Sequence, residues 1–185
     1  EIKIGEAESF TLANGLKVFV VKNNKLPRVS FTLVLDRDPI LEGDKAGLSG
    51  FVGEMMMGGT KNRTKDQLDQ EIDFIGASLG ASATSVSASS LKKHQGKVLD
   101  LMADVLFNPV FPQPELDKLK KQSLTGLATT KDDPQAISSR LSRAVLYGKN
   151  HPYGESQTEQ TTKNITLDDV KAYYQTYFKP NIAYL

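Results

Sequence analysis

Apolar positions along the chain follow two periods, one of two residues and one of three to four, and the switches between them mark the elements. Residues 9–13 and 16–22 flank Asn14-Gly15. That pair supplies the positive φ values a two-residue type I′ turn demands, so the stretch predicts a β-hairpin. Arg28-Val-Ser-Phe-Thr-Leu-Val-Leu-Asp36 is rich in β-branched residues and predicts the next strand, with Pro27 at its start. The period then lengthens. In Gly47-Leu-Ser-Gly-Phe-Val-Gly-Glu-Met-Met-Met-Gly-Gly-Thr60, the residues Leu48, Phe51, Val52, Met55 and Met56 recur at i, i+3, i+4, i+7 and i+8. This is one face of an amphipathic helix, closed by a glycine turn.

Further along, Thr64-Lys-Asp-Gln67 is a capping box followed by Leu68, Ile72 and Ile75 on one face, and Gly76 ends that helix. Residues 78–90 alternate small apolar with hydroxyl side chains, which predicts one strand, polar on one side, at a sheet edge, in preference to a Ser-rich linker. Helices follow over residues 94–107, 114–129 and 135–147; the last carries Ile137, Leu141, Val145 and Leu146. Prolines in Asn108-Pro-Val-Phe-Pro112 and Asp132-Asp-Pro134 punctuate them. Thr166-Leu-Asp-Asp169 caps a final helix that Pro180 stops. Helices packed on one face of a mostly antiparallel sheet, in one α+β domain, is the expected architecture. Asn181-Ile-Ala-Tyr-Leu185 reads as a β-run, and the expectation is a half-domain of a longer chain, truncated in its last strand.

Composition narrows function more than fold. The 185 residues suffice for a domain that buries about 70% of its unfolded surface. With 23 Lys and Arg against 22 Asp and Glu there is no basic field for nucleic acid. The longest apolar runs, such as residues 16–21, fall short of the roughly 18 residues of a membrane span. The absence of cysteine excludes disulfides, thiol catalysis and cysteine-held zinc.

The candidate chemistry lies on the polar stripe of the helix at residues 47–60. Gly50, Gly53 and Glu54 stand there at i, i+3 and i+4, the spacing by which His-x-x-Glu-His places two imidazoles and a general base on one face. The ligands themselves are missing from those positions. The chain has two histidines, and His94, in Lys-Lys-His-Gln at a helix start, reads as a solvated side chain. No Gly-x-x-x-x-Gly-Lys-Ser/Thr loop offers phosphate binding instead. Gly50 and Gly53 each cost a helix about 1 kcal/mol relative to alanine. Either the backbone lies close to another element there, or the stripe has relaxed. Met55 and Met56 read as core, and Met57 is left open.

Four stretches in order resemble the pitrilysin/insulinase-like zinc metallopeptidases, which include the mitochondrial processing peptidase and the core proteins of the respiratory bc1 complex. They are Phe10-Thr-Leu-Ala-Asn-Gly-Leu-Lys-Val18, the segment 47–60, Phe107-Asn-Pro-Val-Phe111, and His151-Pro-Tyr-Gly154 followed by residues 166–181. On that resemblance the family's zinc histidines fall on Gly50 and Glu54 and its catalytic glutamate on Gly53. The third ligand falls on Thr125 or Gly126, and His151 takes a structural place. The pair that opens the family's substrate-binding strand falls on Gly80-Ala81.

The resemblance therefore implies a metallopeptidase-like domain without its own catalytic residues or metal. Zinc is expected only in an active partner or another domain. The implied partners are a second domain of the same fold or an active protease subunit, and an unfolded peptide bound along an edge strand at Gly80, Ala81, Ser82 and Ala83. A purely structural subunit, like the bc1 core proteins, is the alternative, and a divergent peptidase with ligands outside these residues is a third. A periplasmic or envelope-associated setting is the expectation the family suggests.

Overall fold

The computed structural model describes residues 7–22 and 25–185. The strands are β1 (Glu8–Thr11), β2 (Lys17–Val20), β3 (Arg28–Leu35), β4 (Ser78–Ala81), β5 (Ser85–Leu91) and β6 (Ala183–Tyr184). The helices are α1 (Leu48–Met56), α2 (Lys65–Phe74), α3 (Gln95–Phe107), α4 (Gln113–Thr129), α5 (Pro134–Tyr147), α6 (Glu159–Asn164) and α7 (Leu167–Tyr177). The strands form one sheet in the order β1-β2-β6-β3-β5-β4, antiparallel at every pairing except β2 with β6. The short β6 thus enters the middle of the sheet, and β4 forms one edge.

Alternation in β3 and β5 decides which face is covered. Val29, Phe31, Leu33 and Leu35 point the same way as their partners Ser90, Ala88 and Val86. That side belongs to the core, while Ser30, Thr32 and Ser87 on the other side are exposed. Over the inner face lie Val98, Leu101, Met102 and Val105 of α3 and Phe51, Val52, Met55 and Met56 of α1, all buried. Each of these large side chains contributes about 1.5–3 kcal/mol by leaving water. Met55 and Met56 are core as expected, and Met57 packs half-buried against it.

Three local features differ from the sequence expectations. The first hairpin has a wider loop than a two-residue turn. Leu12 N–H donates to Leu16 C=O and Gly15 N–H to Leu12 C=O, and only Gly15 takes positive φ, at 88°. This is the three-residue hairpin loop with glycine in the left-handed position, and Asn14 instead accepts from Leu16 N–H.

Residues 78–90 are also two strands rather than one. Ser82 breaks the run because its hydroxyl accepts from the N–H groups of Thr84 and Ser85, a side-chain turn that competes with an extended ladder. Ser82 and Ala83 therefore sit in the turn, while Gly80 and Ala81 belong to β4.

The third difference lies in α5. The helix forms where its period predicts, capped by Asp133, whose carboxylate accepts from Gln135 and Ala136 N–H. None of its residues is buried, and its stripe of Leu141, Val145 and Leu146 stays in solvent. Among the described residues, no helix is long and apolar enough to cross a membrane.

Candidate functional site

α1 begins at Gly47, whose φ of 105° suits glycine. No side chain within the first turn caps it. Instead Glu42 reaches across and accepts from Gly47 N–H at 2.7 Å and Ser49 N–H at 2.8 Å, a carboxylate at the positive end of the helix. Glu155 in turn accepts from the N–H groups of Glu42 and Gly43 at 2.9–3.1 Å, which fixes the approach to α1 from the far end of the chain.

The exit from α1 is fixed as firmly. Gly59 (φ 119°) leads into Thr60, whose hydroxyl donates to Asp104 of α3 at 2.7 Å. The same carboxylate accepts from Asn62, Arg63 and Asn108, and it is 5% exposed. Burial pushes the Asp104 carboxyl up, but the bonds from Thr60, Arg63, Asn62 and Asn108 outweigh it and hold it below the ordinary range. Arg63 also pairs with Glu71 and Asp100. Asp104 was not singled out from the sequence, although it is an acidic residue set among the apolar positions of α3.

Between these anchors the three motif positions meet different surroundings. Gly50 is exposed, with open space where a Cβ would stand. Glu54 is exposed as well. Gly53 is buried beneath the β4–β5 turn: a Cβ there would stand 2.5 Å from Ser82 Cα, 2.8 Å from Ser82 C and 2.9 Å from Ala81 O. Of the two reasons for a glycine stripe, close backbone approach holds at Gly53 and not at Gly50.

Gly50 and Glu54 open on a groove of about 280 Å³ between α1 and α4, lined across from them by Leu119, Gln122, Ser123 and Gln157. The polar groups there bond to one another: Gln157 Nε2 donates to Ser123 Oγ at 2.9 Å and to Thr162 Oγ1 at 3.0 Å. Thr125 lines a separate surface groove on α4 and donates to Lys121 C=O, and Gly126 is exposed with open space where a Cβ would stand. His94 precedes α3, and exposed His151 stacks on Tyr147 and accepts at Nδ1 from Tyr153 N–H, so neither joins the groove.

This donor set does not fit zinc. A catalytic zinc takes about three protein ligands and one open position. Here the positions offer no side chain at Gly50, one carboxylate at Glu54, and none from α4 beyond an amide and a hydroxyl. Among the described residues no three His, Cys, Asp or Glu side chains gather closely enough to hold a metal ion.

At the edge of the sheet, β4 pairs on one side with β5 and has no strand on its other side, and α1 packs near it. Beyond the turn lies a surface cavity of about 750 Å³, with Arg37, Glu42, Ala83, Arg143, Glu155 and Tyr173 among its walls. Arg37 was not foreseen from sequence. Its guanidinium lies over the rings of Tyr173 and Tyr177, 5.3 and 4.8 Å from their centroids, and donates to the Tyr173 hydroxyl. Burial, with Glu42 and Tyr177 nearby, pushes the Tyr173 phenol up to about 12 against the opposing pull of Arg37.

A sheet covered on one face by helices, with a glycine-striped helix beside its edge strand, defines a single α+β domain. Comparison with known proteins gives the family. The insulinase family (peptidase family M16) matches residues 18–158, more than half of the chain, and the chain belongs to that family.

An uncharacterized zinc protease of Bacillus subtilis, YmxG, is 26% identical over 179 residues, which cover 93% of this chain and 44% of that protein. A probable mitochondrial-processing peptidase subunit beta of Arabidopsis thaliana is 26% identical, with 94% of this chain and 34% of that protein covered. A peptidase M16 inactive domain from Pseudomonas fluorescens superposes with a TM-score of 0.86 at 24% identity, over 97% of this chain and 45% of that one. That last likeness carries the fold. The chain spans less than half the length of the curated relatives it matches.

Proposed function

We propose that this chain is a non-catalytic peptidase-like domain of the insulinase family, acting as the inactive half or partner subunit that helps a zinc-bearing domain enclose peptide substrates. The observation that supports the reading is the contact at Gly53: where the resemblance sets the catalytic base, a Cβ would stand 2.5 Å from the main chain at Ser82. A carboxylate cannot occupy that place without displacing the turn. The flanking ligand positions, Gly50 and Glu54, offer one carboxylate between them.

Two further observations support the roles of wall and partner. The open side of β4 can accept an extended peptide through main-chain hydrogen bonds. The uncovered apolar stripe of α5, on a helix that carries Arg140 and Arg143 and no acidic residue, suits a second domain of the same fold with carboxylates around an apolar patch. Relatives more than twice as long leave room for such a domain. Zinc then belongs to the partner.

The test is elemental analysis for zinc together with peptide cleavage, run on this chain alone and mixed with a zinc-bearing partner subunit. The chain alone is expected to hold no stoichiometric zinc and to cleave nothing, and to raise cleavage by the partner. One zinc per chain with cleavage by the isolated chain would overturn the proposal.

A further inference from the structure

The cavity beyond the β4–β5 turn holds two arginines and no ion pair for either of them. Among the described residues, neither Arg37 nor Arg143 has a carboxylate within salt-bridge distance. Two carboxylates do line the same cavity, but both are engaged elsewhere. Glu42 accepts from the N–H groups of Gly47 and Ser49, and Glu155 from those of Glu42 and Gly43. Arg37 is held in place by its two tyrosine rings and by bonds to the carbonyls of Asp38 and Ala83, and its Nε is buried without a partner. Such a group is costly unless a ligand or water completes it. Arg143, exposed on α5, lines the same cavity.

We propose that this cavity binds a carboxylate of an extended peptide lying along β4, held between Arg37 and Arg143. The inference rests on the reading of the domain as a wall for peptides. Position ties the two together, because Ala83 and Thr84, which follow the edge strand after Ser82, form part of the cavity wall. A peptide added parallel to β4 ends there and delivers its C-terminal carboxylate. One added antiparallel begins there and can deliver only an acidic side chain. Arginine suits either source, since its planar fork matches a carboxylate with two parallel bonds.

The test is fluorescence anisotropy on the whole chain with one unstructured peptide, labelled midway, in three forms: free C-terminal acid, C-terminal amide without acidic residues, and the same amide with one glutamate near its N terminus. One carboxylate-bearing form is expected to bind about tenfold or more tightly than the plain amide, as charge-assisted bonds imply. Preference for the free acid identifies a chain terminus, and preference for the glutamate form identifies a side chain.

Arg143→Gln and Arg37→Gln are each expected to abolish that preference while leaving the plain amide unchanged. Arg143 is exposed, so its variant keeps the test valid if Arg37→Gln does not fold. Equal binding of the three forms, or equal weakening of all three by Arg143→Gln, overturns the site and leaves the peptide-wall reading standing. No binding by any form overturns both.

Discussion

Gly53 of α1 lies so close under Ser82 that a Cβ on the glycine would stand 2.5 Å from the serine Cα, whereas Gly50, one turn earlier, faces open space. The same substitution at the two glycines should therefore have opposite signs. Gly50→Ala gains helix propensity and is expected to raise stability by about 0.5–1 kcal/mol. Gly53→Ala meets main chain rather than a flexible side-chain end and is expected to lower it by about 1–3 kcal/mol. Urea midpoints of the two variants check this, and a stabilising Gly53→Ala would show that the turn moves freely.

Restoring the motif residues should not restore the site. Gly50→His with Glu54→His sets two imidazoles at i and i+4 on an exposed helix face, but α4 offers only Gln122 and Ser123 across the groove. The double variant is expected to bind zinc weakly, without a stoichiometric endpoint in a titration against a zinc indicator. Adding Gly53→Glu should cost about 3 kcal/mol more in urea unfolding, because the glutamate has to displace the Ser82 turn.

Asp104 predicts an acid-sensitive fold. Its carboxyl is held below the ordinary range in the folded chain, so its contribution is complete above the unfolded value, near 3.9, and fades as pH falls below that through the folded value. Asp104→Asn leaves Arg63 without that carboxylate in a half-buried setting and is expected to cost about 3 kcal/mol at neutral pH. The variant should also show a flatter loss of stability between pH 4 and pH 2, seen as urea midpoints across that range.

The apolar stripe of α5 predicts little cost in the isolated chain. Leu141 and Val145 are 58% and 82% exposed, so Leu141→Ser and Val145→Ser should each shift stability by about 0.5 kcal/mol or less. Val98→Ser in α3, fully buried, should lose several times that. If the stripe is covered by a partner, the α5 variants should instead weaken assembly, read by analytical ultracentrifugation of the mixture.

The elements were legible in the sequence wherever a local device created them. The capping box at Thr64 and Gln67 and the cap at Thr166 appear as read, and the methionine face of α1 is core. What escaped depended on partners distant in the chain. The pattern of residues 78–90 could not reveal the break at Ser82, because a serine in a turn and a serine in an edge strand look alike until the hydroxyl's partners are known. The period of α5 marks an apolar stripe, but periodicity does not say whether a face is covered within its own chain. The motif positions Gly50, Gly53 and Glu54 were visible, yet the reason for Gly53 required seeing which backbone lies above it. Arg37 carried no signal at all: its importance comes from Tyr173, 136 residues away.

That arginine and tyrosine also set an alkaline limit. The Tyr173 phenol is pushed up to about 12, chiefly by burial, so the folded chain holds its proton where an unfolded one releases it. A raised folded value means that the contribution is complete below the unfolded value, near 10, and is lost as pH rises from there through about 12. The linked loss is on the order of 3 kcal/mol, since each of the two units corresponds to about 1.36 kcal/mol. Tyr173→Phe is expected to lower stability at pH 8, where the hydroxyl accepts from Arg37, and to flatten the decline between pH 10 and pH 12. Tyr174, also raised by burial, should keep the remaining slope. Urea midpoints at pH 8, 10 and 11.5, with absorbance at the phenolate band, read both effects, and an unchanged slope in Tyr173→Phe would show that its proton is not linked to folding.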